Sequence, residues 1–288
     1  MLRVRESAEA IRARARFALR AEKAFGLDAL PIRIESRSVA EAPAAACVVA
    51  QVQAPPQASV VSEARKSIVN LFGAEAKNAA AASTNQPFTA PVLSTEQKRR
   101  LLDELNAKVN ACNSCRLCEQ RTNTVFGEGD PDAKIMFIGE GPGENEDLQG
   151  RPFVGRAGEL LNKMIAGMGL KREQVFIVNI VKCRPPGNRE PAPDEVATCT
   201  PFLEKQIEII RPRVIVTLGR PALQHMLQQK ISISKMRGQW QTWRGIRLMP
   251  TFHPAYLLRN YTTETRAAVW SDLQQVMAEL GMKLPSRK

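Results

Sequence analysis

The chain is short of aromatic residues, which make up 5% of its 288 positions, and it has two histidines. A side chain that titrates near neutral pH is therefore offered only by His225 and His253. No stretch reaches the roughly 20 apolar residues that a membrane-spanning helix needs. The N-terminus lacks the apolar centre of a secretory signal. Glu6, Glu9 and Glu22 argue against a transit peptide, which is poor in acids. A cytoplasmic location is the expectation. Acidic residues are also in deficit, with 29 Asp and Glu against 41 Lys and Arg, a formal net charge of +12. That balance points to a polyanionic partner, nucleic acid before membrane.

What is present divides unevenly. Residues 1–26 form an Arg- and Ala-rich helical pattern with Val4, Ile11, Phe17 and Leu19 as apolar points. From about Leu27 to Pro91 the chain turns Ala-, Pro-, Ser- and Gln-rich, the composition of a largely disordered linker. Within it, Ser67 to Phe72 fits a short helix or docking motif. Ser94-Thr95-Glu96-Gln97 then supplies a capping pattern, followed by Leu101, Leu102, Leu105 and Val109 at helical spacing. The expected division is an extension over 1–93 and a compact domain over 94–288.

In the domain, apolar strands alternate with helices. Strands are predicted at Lys134–Ile138, Val175–Val181, Val214–Leu218 and Arg247–Phe252. Helices are predicted at Glu159–Ile165, from Pro193 through Ile210, at Arg220–Gln228 and at Thr263–Leu280. Gln239–Leu248 reads as a hairpin with Gly245 at its turn. The fold class is α/β, a three-layer αβα arrangement around a mostly parallel four-stranded sheet.

Gly139 to Gly158 reads as a long glycine-rich loop at the carboxyl end of a strand, where open α/β sheets bind ligands. A pyrophosphate is a poor fit, because Glu140, Glu144, Glu146 and Asp147 would repel it and G-x-G-x-x-G is not met. A neutral flat ligand fits better: glycines let the backbone approach, and Phe153 is free to stack. The plain alternative is an acidic surface loop with a core Phe.

Cys112-Asn-Ser-Cys115-Arg-Leu-Cys118 overlaps two C-x-x-C pairs, and Cys183 and Cys199 follow. In a cytosolic protein such thiols read as ligands of a tetrahedral zinc or an iron–sulfur cluster rather than as disulfides. Spacing leaves that choice open, and buried structural thiols are the plain alternative. Cys47 stands apart in the linker and reads as incidental.

Four segments together carry a resemblance. Gly139-Glu-Gly-Pro-Gly143 with Glu146-Asp147, Gly150-Arg-Pro-Phe-Val-Gly-Arg-Ala-Gly158, Asn179-Ile-Val-Lys-Cys183-Arg-Pro-Pro186 and Phe252-His-Pro-Ala-Tyr-Leu-Leu-Arg259 resemble the family-4 uracil-DNA glycosylases, the bacterial and archaeal iron–sulfur class. The resemblance covers about Ser94 to Leu280 and makes 94–288 a catalytic domain. It implies uracil excision from single- or double-stranded DNA in base excision repair, a nucleoid-associated monomer, and a [4Fe–4S] cluster on Cys112, Cys115, Cys183 and Cys199. Zinc is the alternative group, and a Cys115/Cys118 pair would also satisfy the spacing. The resemblance does not extend to the first ninety or so residues, and that extension has two readings: recruitment of a replication or repair partner, or no specific role.

Roles follow for named residues. A glycosylase must extrude its base from the duplex. Phe153 would stack on uracil, and the Asn179 amide would match O4 and N3–H while rejecting cytosine. Family-1 enzymes exclude thymine with a Tyr where this chain has Gly143, so Glu146 would fill that space. His253 would donate to O2 as negative charge develops there, assisted by a backbone amide near Glu140 or Gly141; His225 reads as structural. Family-1 enzymes orient water with an Asp where this chain has Gly141, so Glu140 or Glu146 takes that role. Leu257 or Leu258, on a loop, would wedge into the vacated stack. Arg156, Lys182, Arg184, Lys235, Arg237 and Arg259 are expected phosphate contacts. Two other readings stand beside this one: a non-enzymatic nucleic-acid module with a structural metal, and a related glycosylase that crosslinks to DNA through a histidine. Lys182–Arg189 holds no such histidine.

Overall fold

The computed structural model describes residues 93–283. The expected basic helix, the linker with its Ser67–Phe72 motif, and Cys47 all lie outside the described residues.

Six strands form one sheet: β1 (Glu128–Gly129), β2 (Ile135–Gly139), β3 (Phe176–Asn179), β4 (Val214–Leu218), β5 (Gln241–Trp243) and β6 (Ile246–Thr251). Their order is β1-β3-β2-β4-β6-β5. The inner four are parallel and correspond to the four expected strands. The expected sheet is thus enlarged by two short antiparallel edges. A strand as short as β1 cannot display a two-residue period, so no pattern announced it. The expected hairpin is β5–β6, and Arg244 (φ 45°) and Gly245 (φ 82°) turn it. Two positive φ values in sequence match the right-handed twist of the flanking strands.

Alternation along the strands builds two cores. Met136 and Ile138 face α1 (Thr95–Asn110), α4 (Pro193–Ile210) and α5 (Arg220–Leu227). Ile135 and Phe137 face α3 (Arg156–Gly167) and α8 (Thr263–Glu279). Three layers result. Leu161 of α3 is fully buried in the second core, so truncating it to Ala costs about 2–5 kcal/mol. The capping box at Ser94 forms as expected: Ser94 Oγ accepts from Gln97 N, and Ser94 N donates to Gln97 Oε1.

Two segments expected as loops contain helices. The Gly139–Gly158 stretch is interrupted by α2 (Glu144–Gln149), which three acids in its first turn favour and Gly150 (φ 66°) ends. Pro254–Arg259 is also helical; this helix is α7, and Pro254 opens it immediately after its N-cap, His253. A four-residue turn of helix, α6 (Ile233–Met236), precedes the hairpin.

All four parallel strands end at one edge, at Gly139, Asn179, Leu218 and Thr251. β3 lies on one side of β2 and β4 on the other, so the chain reverses its direction of winding there. Loops diverging at such a point leave a crevice.

Candidate active site and cysteine centre

The crevice is a cavity of about 860 Å³, walled by the loops that follow β2, β3, β4 and β6. Glu140, Phe153, Asn179 and His253 all line it. Residues far apart in sequence meet here because each directly follows or ends a parallel strand, Phe153 excepted.

Phe153 arrives by a different route. Its backbone is left-handed (φ 51°), a conformation that costs a non-glycine residue about 1–2 kcal/mol. Two clamps hold it. The Glu146 carboxylate accepts from the N–H groups of Val154 and Gly155, both at 2.8 Å. On the other side, Arg172 donates to the carbonyls of Pro152 and Phe153, to Asn162 Oδ1 and to Glu128. The ring lies over Gly139, where a Cβ would stand 2.5 Å from Phe153 Cζ and would also collide with Asn179 Oδ1. Only glycine permits both side chains to meet there. Gly158 is equally forced, because its Cβ would collide with the Phe153 carbonyl.

Asn179 ends β3 and is 1% exposed. Its Oδ1 is buried without a hydrogen-bond partner. An orphaned acceptor in such a place loses solvation without compensation. A ligand N–H would supply what is missing.

His253 caps α7, and its Nδ1 accepts from the Ala255 N–H at 3.0 Å. The neutral ring therefore carries its proton on Nε2, leaving that atom as the free donor. Burial, with a smaller push from nearby Arg259, lowers its pKa to about 4 against an opposing pull from Glu146. The ring is neutral at physiological pH. It stands 5.6 Å from the Phe153 ring, centroid to centroid. His225 lies on α5, outside the cavity lining.

The structure separates the two glutamates. Glu146 spends one oxygen on the Phe153 loop and rests the other against Gly143. The Glu140 carboxylate has no hydrogen-bond partner among the described residues, although its backbone carbonyl accepts from Val181 N. Desolvation raises its pKa, repulsion from Glu190 adds to this, and Arg220 opposes it. A carboxylate that is partly buried, unpaired and made more basic suits a general base. Gly141 lines the same wall.

Several expected DNA contacts need correction. Leu257 is fully buried in the second core and Leu258 is half-buried against it, so neither projects as a wedge. The exposed apolar residue at the cavity mouth is Tyr256, its ring 4.8 Å from that of Phe252. Arg237 turns inward, pairing with Asp272 at 2.5 Å and with the Ala268 carbonyl, and lying over Phe252. Lys182 is buried and touches no solvent-facing surface. Arg184 is half-buried, bonded to Asn188 and 3.8 Å from Glu144. Arg156 and Arg259 are exposed at the mouth, and Lys235 is exposed on α6 beside it.

Cys112, Cys115 and Cys199 pack against the core that contains Cys183. Charge on Cys112 and Cys183 is felt at Cys115, and charge on Cys183 and Cys115 at Cys199. Cys118 is felt at Cys183 and at Arg121. Donors surround the sulphurs: Arg121 Nη1 approaches Cys183 Sγ at 3.2 Å, and Lys182 N approaches Cys199 Sγ at 3.3 Å. Among the described residues no three His, Cys, Asp or Glu side chains close around a point that would hold one metal ion. A tetrahedral zinc would draw its sulphurs to about 4 Å from one another. A four-iron cluster is a larger body whose cysteines stand further apart. The N–H groups directed at Cys183 and Cys199 suit thiolate ligands of either kind of centre.

Residues that sequence reasoning passed over are Arg172 and Asp147. Asp147, 3% exposed, accepts from the N–H groups of Thr122 and Asn123 and so ties α2 to the segment after the C-x-x-C pairs. In so basic a chain nothing distinguishes Arg172 by its neighbours. Asp147 was visible as part of the acidic run, but not its inward direction.

Comparison with known proteins agrees with this geometry. The type-4 uracil-DNA glycosylase of Thermotoga maritima is 50% identical over 180 residues, 62% of this chain and 94% of that protein. The type-4 uracil-DNA glycosylase of Archaeoglobus fulgidus is 41% identical over 193 residues, 64% of this chain and 96% of that protein. A type-5 uracil-DNA glycosylase of Pyrobaculum aerophilum is 31% identical over 173 residues, 53% and 75% of the two chains. The family model for the uracil DNA glycosylase superfamily matches residues 126–274, which hold the whole cavity lining, and the chain belongs to that superfamily.

Proposed function

We infer that the protein excises uracil from DNA by hydrolysing the N-glycosidic bond and leaves an abasic site. The observation that carries this is the orphaned Asn179 Oδ1, buried beside Phe153 and His253. Uracil N3–H supplies the missing donor, and its O4 accepts from the Asn179 amide nitrogen. Cytosine presents a bare lone pair at N3, so Oδ1 would meet an acceptor and stay unpaired. Phe153 stacks on the flipped ring.

As the bond between C1′ and N1 breaks, its electron pair leaves with uracil and charge gathers at O2. The Nε2–H of neutral His253 donates there, most strongly in the transition state. Glu140 takes a proton from a water whose oxygen bonds to C1′. No lysine lines the cavity among the described residues, so a Schiff base and strand cleavage are not supported. Glu146 acts by holding Phe153 and by occupying the space over Gly143 that a thymine methyl would need.

Arg156 and Arg259 grip phosphates at the mouth, and Tyr256 takes over the wedge role from the buried leucines. Cys112, Cys115, Cys183 and Cys199 would hold a [4Fe–4S] cluster, which would tie the segment after α1, the loop after β3 and α4 together.

The test is incubation of purified, iron-replete protein with a uracil-containing oligonucleotide, followed by alkali. Cleavage at the uracil is expected; intact strands would overturn the reading in favour of a non-enzymatic DNA-binding module.

A further inference from the structure

Lys182 is 1% exposed, a rare position for a side chain that carries an amine. An apolar residue would fill the space without the desolvation that a buried amine suffers. The contacts explain why an amine is there. Lys182 Nζ donates to the Asn179 carbonyl at 2.8 Å and to Gln206 Oε1 at 2.6 Å. Gln206, fully buried on α4, is itself held by donating to the Phe126 carbonyl at 2.8 Å.

The main chain of Lys182 points the other way. Its N–H donates to Cys199 Sγ at 3.3 Å, its carbonyl accepts from Val125 N at 2.7 Å, and the next residue is Cys183. One residue thus meets two of the proposed cluster ligands with its backbone and the base-reading residue with its side chain.

We propose that Lys182 is a positioning residue that transmits the state of the cysteine centre to Asn179. While the centre is filled, Cys183 and Cys199 fix the Lys182 backbone, and Nζ holds the end of β3 so that Oδ1 faces the cavity. When the centre is empty or the amine is removed, the last peptide of β3 loses the brace on its carbonyl and is held only by the Ile180 N–H donating to the Gly139 carbonyl. Uracil is then held less well, while His253 and Glu140, placed by other strands, keep their geometry. The proposal rests on the uracil-pocket reading of the site.

The experiment compares Lys182→Met and Gln206→Met with the parent in full-length, iron-replete protein. Iron content and visible absorbance are measured beside steady-state kinetics and inhibition by free uracil. Lys182→Met keeps the length of the side chain and deletes both donors. Loss of a buried hydrogen bond raises KM and the inhibition constant of uracil about 10-fold, with kcat within about 2-fold and iron content unchanged. Gln206→Met, which frees Nζ from one anchor, raises both about 3-fold by the same reasoning. A lower melting temperature with unchanged KM in either iron-replete variant would reduce Lys182 to a packing element and overturn the proposal. If Lys182→Met loses its iron, Gln206→Met decides alone. A parent that neither releases uracil nor is inhibited by it would instead sink the uracil-pocket reading.

Discussion

Two polar regions lie within one fold and treat their hydrogen-bonding groups in opposite ways. At the cysteine centre, sulphurs receive N–H groups from Arg121 and Lys182, and Lys182 in turn is fully engaged. At the pocket, Asn179 Oδ1 has no partner and the Glu140 carboxylate has none among the described residues. Both regions are largely shielded from water, so the difference is not one of exposure. A buried group left unpaired is a loss to folding unless an outside molecule completes it. The comparison teaches where to look for chemistry: at the unmet valences, not at the dense network.

Breaking the pocket side should therefore change turnover far more than stability. His253→Ala is expected to lower the single-turnover rate of uracil release about 10³-fold, as for removal of one oxyanion donor. Binding to DNA in a mobility-shift assay should persist, because His253 is not a phosphate contact. Unchanged turnover would remove His253 from the transition state.

Glu140→Gln is expected to cost about 10²-fold in kcat, at the low end for a general base. The pH profile sharpens this. Desolvation and Glu190 raise the Glu140 pKa, so the active carboxylate form is gained only as pH climbs past its ordinary range. Activity should rise with pH along that limb and then level off. His253, with a pKa near 4, is already neutral there and adds no second limb at neutral pH. The Gln variant should lack the acid limb; a limb that survives would assign it elsewhere.

Glu146→Gln tests a residue that is paired although it lines the pocket. It keeps one acceptor oxygen but loses the charge that strengthens both loop bonds. A fall of about 10-fold in kcat/KM, with a loss of about 1 kcal/mol in denaturant unfolding, is expected. A loss as large as that of Glu140→Gln would make Glu146 the base after all.

The smallest effect on the chemical step is expected from the cysteine side. Cys199→Ala should lower Tm by about 5 °C or more, since a site that binds a group only when folded stabilises the fold. The fraction that stays folded should keep kcat within about 3-fold, the scale of a lost weak contact. An abolished kcat in folded protein would erase the distinction between the two regions.

Much of this was legible in the chain. The four parallel strands showed as apolar runs, the helix start at Ser94 as a capping box, and the hairpin through Gly245. Phe153, Asn179 and His253 carried their chemistry in their scarcity or in the polar interruption of an apolar strand. What stayed hidden was direction. Pro-Ala-Tyr-Leu-Leu-Arg reads equally as a loop or a helix, and only its rotation about the His253 cap buries Leu257 and exposes Tyr256. Arg237 and Lys182 look like any surface cation until Asp272 and Gln206, distant in sequence, are brought beside them. The choice between Glu140 and Glu146 likewise depends on two backbone N–H groups that only the folded loop presents.

The left-handed backbone at Phe153 has a consequence for how this protein would change under selection. Glycine at that position would relax the turn by about 1–2 kcal/mol, but deleting a ring buried in the second core costs about 3–5 kcal/mol. The same change would leave the base without a stacking surface. A screen that rewarded only solubility or heat resistance would thus accept an aliphatic residue of similar bulk at position 153 and would collect well-behaved, inert proteins. Folding asks only for apolar bulk in that turn; a flat aromatic face is what the pocket adds to the demand.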